Sequence, residues 1–180
     1  MSFLDVASVP ARKAYEFRNP WLGTASEARS AATVLKFSTS RSQGLGDALP
    51  AGTVRIYMRD SRGDAQFIGE NMIGHTPMGS ELGIATGDAF DVKVQPVVEK
   101  REKLSSDRWR TSMRYTLTNA RPEPVIVDLV QSGLDRWWDD TRIIEESQKS
   151  ERRSSNDALW HVAVPANGKS TVTAVFDTRF

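Results

Sequence analysis

The chain contains no cysteine. That excludes disulfides, thiol nucleophiles, zinc fingers and iron–sulfur clusters. Histidine is nearly as scarce, with only His75 and His161. Neither sign of charge is in excess: 24 Lys and Arg stand against 23 Asp and Glu, for a net charge of +1. A protein that tracks phosphate backbones shows a clear basic surplus, so nucleic acid is not an expected partner. No apolar run approaches the ~18 residues of a membrane helix, so no membrane span is expected. The opening "MSFLDVASVPARKAYEF" lacks a basic start followed by an apolar core, and so does not read as a signal peptide. Helical periodicity is also thin. Only "ASEARSAA" (25–32) reads as helical, with little apolar spacing behind it.

What the chain has instead is alternation. In "TVRIYMR", Val54, Ile56 and Met58 share one face, and Thr53, Arg55, Tyr57 and Arg59 the other. "FDVKVQ" sets Phe90, Val92 and Val94 inward. "RWRTSMRYTLTN" sets Trp109, Thr111, Met113, Tyr115 and Leu117 against a wet face holding Arg108, Arg110 and Arg114. Period-two patterning means strands with one buried and one solvated face, as antiparallel sheets show. "PVIVDLVQ" (124–131), "ALWHVAV" (158–164) and "STVTAVFDT" (170–178) are further strands, the last two flanking "PANGK", whose Asn-Gly is a hairpin signal. "KAYEF", "TVLKF", "AQFIG" and, more weakly, "TRIIEES" bring the count to about ten. Ten short strands and no long helix predict an all-β, antiparallel β-sandwich, immunoglobulin-like at least in the C-terminal half. At 180 residues the chain forms one all-β unit over 1–180, or two lobes, an N-terminal β lobe (1–88) and an immunoglobulin-like sandwich (89–180).

Motifs for chemistry fail on inspection. "IGENMIGHTPMGSELGIATGDAFDV" (68–92) holds five of the twelve glycines. Gly74 and Gly79 have the spacing of a phosphate loop, but Ser80 and Glu81 stand where that loop has Lys and Ser or Thr, and the carboxylate repels a phosphate. His75 has no second histidine nearby. Glu70, Glu81, Asp88 and Asp91 are its nearest carboxylates, which leaves a general acid or base, or a mixed ligand set, against a plain turn residue. Arg62-Gly63-Asp64 reads as a hairpin turn before it reads as an adhesion tripeptide. "GLDRWWDDTR" (133–142) is the strongest surface candidate. Trp137 and Trp138 beside Asp139 and Asp140 suit sugar recognition by stacking and hydrogen bonding, against the plainer reading that both rings plug the sandwich end. No catalytic, cofactor-binding or metal residue is assigned, and no cofactor is expected.

The passages "LPAGTVRIY" (49–57), "FIGENMIGHTP" (67–77), "GDAFDV" (87–92), "YTLTNARPEPVIVDL" (115–129) and "VPANGKSTVTAVF" (164–176) together resemble the C-terminal domain of mucoidy-inhibitor-A-like bacterial proteins, a domain of unknown function. The likeness covers about residues 31–180. It implies an immunoglobulin-like C-terminal module of a longer bacterial cell-envelope or secreted protein, and it brings no established site residues. The resulting expectation is a non-enzymatic module for protein–protein interaction or structural support, its partner an envelope protein or the rest of its own chain. The alternatives are a glycan-binding module built on the Trp137/Trp138 loop and, behind it, an enzyme using His75.

Overall fold

A computed structural model describes residues 6–135 and 140–180. The fold is all-β, with a large mixed sheet of nine strands and a small sheet of two, consistent with a β-sandwich. The strands are β1 (Ala11–Asn19), β2 (Arg29–Ser38), β3 (Gly52–Arg59), β4 (Ala65–Ile73), β5 (Glu81–Lys103), β6 (Arg108–Asn119), β7 (Val125–Gln131), β8 (Asp140–Glu146), β9 (Glu151–Arg152), β10 (Ala158–Val164) and β11 (Gly168–Arg179). The large sheet runs β8-β11-β6-β5-β2-β1-β7-β10-β9, and the small one is the hairpin β3-β4. The chain divides into two compact units, one of residues 1–14 and 32–88, the other of 15–31 and 89–180.

The expected helix at 25–32 is absent. Its second half enters β2, where Ala31 is fully buried, and its first half is a connection whose Ala25 N–H donates to the Pro96 carbonyl at 2.9 Å. Alanine's helix preference is worth only tenths of a kcal/mol per residue, and long-range pairing overrides it. A 3-10 turn at Arg41–Gln43 is the one helical segment among the described residues.

In the second unit the alternation read from β6 holds: Thr111, Met113, Tyr115 and Leu117 are buried, while Arg108 and Arg114 face out. β5 departs from it. Val92 and Val94 are buried, but Phe90 is 79% exposed. Ala89 is the buried residue before Val92, so the strand spends three residues instead of two between inward positions, and Phe90 is turned out. The core is closed by contact between strands far apart in the sheet order. The Tyr115 ring on β6 lies 5.9 Å from the Trp160 ring on β10. The buried Trp160 donates its indole N–H to both Glu146 Oε2 and the Gln148 carbonyl, at 3.1 and 3.0 Å.

The strands are not all antiparallel. β1 runs parallel to β7, with Tyr15 opposite Val127 and Asn19 opposite Gln131. The pair ends in a buried polar cluster. Gln131 Oε1 accepts from Asn19 Nδ2 at 2.8 Å and from the Tyr115 hydroxyl at 2.6 Å, and its Nε2 donates to the Ser132 carbonyl at 2.8 Å. Burial also pushes the Tyr115 phenol well above its ordinary pKa, so it stays a neutral donor. Gly133 follows at φ +75°, and a Cβ there would stand 2.2 Å from the Pro20 carbonyl oxygen. Only glycine accepts both conditions.

In the first unit Ile84 and Val34 are buried, and most of the glycine-rich passage lies in β4 and β5, with only residues 74–80 forming a connection between them. The fully buried Thr39 donates its hydroxyl to the Pro77 carbonyl at 2.8 Å and accepts from the Ser80 N–H at 2.9 Å. Leu49 and Thr76 exchange both backbone bonds at 2.8 and 2.9 Å.

Replacing Gln131 by Leu keeps volume and removes the shared acceptor, stranding Asn19 and Tyr115 donors. The expected loss is about 3 kcal/mol of unfolding free energy in urea titration. A loss under ~1 kcal/mol would show that the two donors find other partners.

Candidate interaction surface

The hairpin β3-β4 presents several exposed apolar side chains on one face. Register places Thr53 opposite Met72, Arg55 opposite Glu70 and Tyr57 opposite Phe67, with a bulge between Ile56 and Tyr57. These pairs share one face. Tyr57 is 56% exposed, Phe67 55% and Met72 86%, and the two rings meet edge to face at 5.7 Å. Between them Arg55 Nε and Glu70 Oε2 pair at 2.9 Å. The other face carries Val54 and Ile56, both partly covered, and Met58, which is exposed near the hairpin tip. Strand alternation thus turns Val54 and Ile56 inward and leaves an aromatic and methionine patch in water around one ion pair. Exposed apolar groups gathered on one face in this way mark interaction sites.

Glu70 and His75 serve different partners. Glu70 is engaged by Arg55. His75 is exposed in the turn after β4, where its Nδ1 accepts a long bond from the Ala51 N–H at 3.4 Å. Arg62-Gly63-Asp64 forms the hairpin tip. The Asp60 carboxylate accepts the Arg62 and Asp64 N–H groups at 2.8 and 3.0 Å, and Gly63 sits at φ +90°. Among the described residues no cluster of three or more His, Cys, Asp or Glu has the arrangement of a metal site.

Trp137, Trp138 and Asp139 lie outside the described residues. Asp140 opens β8 and lines a cleft of about 340 Å³ with Ser105, Asp107, Arg108, Asp177 and Arg179. The charges there are matched. Arg108 grips Asp177 through two bonds of 2.6 and 2.8 Å, with Arg110 at 3.5 Å. Arg179 pairs with Asp107 at 3.1 Å and Arg142 with Asp140 at 2.8 Å. On the same strand Arg114 pairs with Glu99 at 2.8 Å. Arg108, Arg110 and Arg114, on the wet face of β6, are therefore engaged across strands. The Arg108 bond is the main reason the buried Asp177 carboxyl sits below its ordinary range.

Asp128 and His161 form a pair that spacing alone does not reveal. They face one another across β7 and β10, with Asp128 Oδ1 2.6 Å from His161 Nδ1. Asp128 is buried and His161 is exposed on the outer strand face, as its alternation with Trp160 and Val162 predicts. A buried carboxylate on Nδ1 orients the ring, which is half of a nucleophile-activating arrangement. The other nitrogen, Nε2, faces Glu151 Oε2 at 4.0 Å. A carboxylate stands there in place of a hydroxyl to be activated. The trace in sequence is one Asp flanked by apolar residues in β7.

Comparison with protein-family models, with curated proteins and with solved structures finds no match to the chain. The functional reading therefore rests on surface geometry and on the motif resemblance.

Asp177 supplies a pH prediction. Its folded pKa lies below the unfolded value, so its stabilising contribution is complete above about pH 4 and is lost as pH falls through the folded pKa. Asp177→Asn is expected to be less stable than wild type at neutral pH, with the gap narrowing as pH drops below about 4. Urea unfolding of both proteins across that range checks it; a constant gap would contradict it.

Proposed function

We propose that the chain is a non-enzymatic, immunoglobulin-like β-sandwich module of a bacterial cell-envelope protein, acting in protein–protein interaction. The observation that carries this reading is the hairpin face of Tyr57, Phe67 and Met72. An aromatic and methionine patch around a single ion pair has the composition of an interface centre, where large apolar anchors dominate and isolated charges are few. The paired arginines of β6 support it indirectly, because they leave no unmatched basic field to attract a polyanion. No helix among the described residues is long and apolar enough to cross a membrane. The envelope setting and the module's place in a longer chain rest on the resemblance alone. The partner is an envelope protein or another part of the same polypeptide.

Photo-crosslinking tests this. A benzophenone side chain at position 67 of the full-length protein, expressed in its native host, is expected to yield one discrete protein adduct. A second substitution, Met72→Asp, should abolish that adduct while leaving the circular dichroism spectrum and melting temperature unchanged. The same probe at Ile126, exposed on β7, should not give that adduct. Identical adducts from both positions, or persistence in the Met72→Asp protein, would show that the hairpin face is not the contact.

A further inference from the structure

The connection between β1 and β2, "PWLGTASEA", carries a second surface that the sequence does not single out. Trp21 is 54% exposed, while the next residue, Leu22, is buried in the core. The indole lies against Gly23: a Cβ at that position would fall 2.6–2.7 Å from three adjacent atoms of the benzo ring. Having only hydrogen there, Gly23 lets one side of the ring rest on the backbone and leaves the rest of it in solvent. Beside it is a groove of about 400 Å³, lined by Asn19, Trp21, Thr24, Ser26, Glu27 and Arg29. That volume falls within the roughly 300–1,000 Å³ of small-molecule clefts.

The groove is built and held. The buried Asn19 donates to the Trp21 carbonyl at 2.7 Å, and its Oδ1 accepts from Arg29 Nη2 at 3.2 Å. The Arg29 guanidinium is further placed over the Phe17 ring, 5.1 Å from its centroid. The connection is fastened along β5. The Val98 N–H donates to Thr24 Oγ1 at 2.9 Å, Ala25 N–H to the Pro96 carbonyl at 2.9 Å, and Arg101 to the Leu22 carbonyl. Two groups remain unspent: the exposed Glu27 carboxylate and Ser26 hydroxyl have no side-chain hydrogen-bond or ion-pair partner among the described residues. The groove therefore offers an aromatic surface, a fixed cationic donor, a free acceptor and a free hydroxyl, with one charge of each sign.

We propose that this groove is a saccharide-binding site for neutral pyranosides. A sugar ring has an apolar face of C–H groups that lies on an indole, and a rim of hydroxyls that donate and accept at once. Glu27 accepts from those hydroxyls, Arg29 donates to them, and Ser26 does either. The balanced charge favours a neutral sugar over a uronate, whose carboxylate would meet Glu27. Because the connection is already fastened, little ordering is needed on binding. The site shares no residue with the hairpin face, so either can fail without the other.

Saturation-transfer NMR with chitotriose, cellotriose, maltotriose and trigalacturonate tests the proposal. Transfer to at least one neutral trisaccharide is expected, with Kd in the millimolar range or tighter. Trp21→Ala should weaken it at least about tenfold. Gly23→Ala, which pushes the ring from its seat, and Glu27→Gln should each weaken it severalfold, while Trp21→Tyr should retain part of it. Each variant is checked for an unchanged melting temperature, and Trp21→Phe replaces the alanine variant if that one is destabilised. No transfer to any neutral trisaccharide, equal binding by Trp21→Ala, or preference for trigalacturonate would each overturn the proposal.

Discussion

The side chain of Gln131 holds together parts of the second unit that are distant in sequence. It accepts from Asn19 and Tyr115 and donates to the Ser132 carbonyl, with all three side chains at most 1% exposed. Each bond is worth only about 1 kcal/mol net, but an unmet partner in this setting costs more than a made bond contributes. The cluster therefore acts chiefly by excluding alternatives. A one-residue slip of β1 against β7 would reverse every side chain of β1 and take Asn19 from Gln131. The parallel pair has no hairpin turn to set its register, so a polar pair at its end serves that purpose. Tyr115 extends the constraint to β6, and its ring against Trp160 extends it to β10.

The same cluster determines where the chain goes next. Asn19 ends β1 and binds the Trp21 carbonyl, so the connection leaves the sheet in a fixed direction. Gly133 lies against Pro20 just beyond, where any side chain would collide with backbone. Leu22 then plugs the core and Trp21 is left outside. An exposed tryptophan on a fastened connection is thus a consequence of the register, and it does not require a separate device. Elsewhere on the unit the outward charges of β5, β6 and β11 pair across strands, and on β8 Arg142 pairs with Asp140.

Much of this was legible in the chain. Period-two patterning marks β6 and β10 and assigns their faces, because the signal is local and one face of each is buried. The structure of 25–32, a connection leading into β2, was illegible for a related reason: alanine and glutamate favour a helix weakly, and what decides otherwise is bonding with residues far away, such as Pro96. Phe90 misleads because a single extra residue between Ala89 and Val92 changes the phase, and composition does not reveal such a slip. The parallel partnership of "KAYEF" with "VIVDL" has no local signature at all. Asp128 and His161 meet only because two strands align, and Trp21 was hidden by the helical reading of the segment that follows it. The tryptophans that drew attention, Trp137 and Trp138, fall outside the described residues, though Asp140 beside them is bound up with Arg142.

The hairpin of the first unit obeys a different logic. Two strands alone are marginal in water, and three or more with a buried face are needed for independent stability. Its inner face supplies part of that, with Gly69 so close to strand β5 that a Cβ would stand 3.0 Å from Thr86 Cα. The outer face gains nothing from such contact, yet it carries Tyr57, Phe67 and Met72, where polar residues would serve a solvated strand equally well. The choice cannot be attributed to strand propensity alone, since threonine has comparable preference without the apolar surface, and methionine is no strong strand former. Covering these side chains would recover the apolar area that folding leaves in water, at roughly 25 cal/mol per Å². Arg55 and Glu70, already paired at the centre, would enter such a contact as a matched pair and so avoid the cost of a lone buried charge. A face so composed is stable enough in water to persist, and more stable when covered.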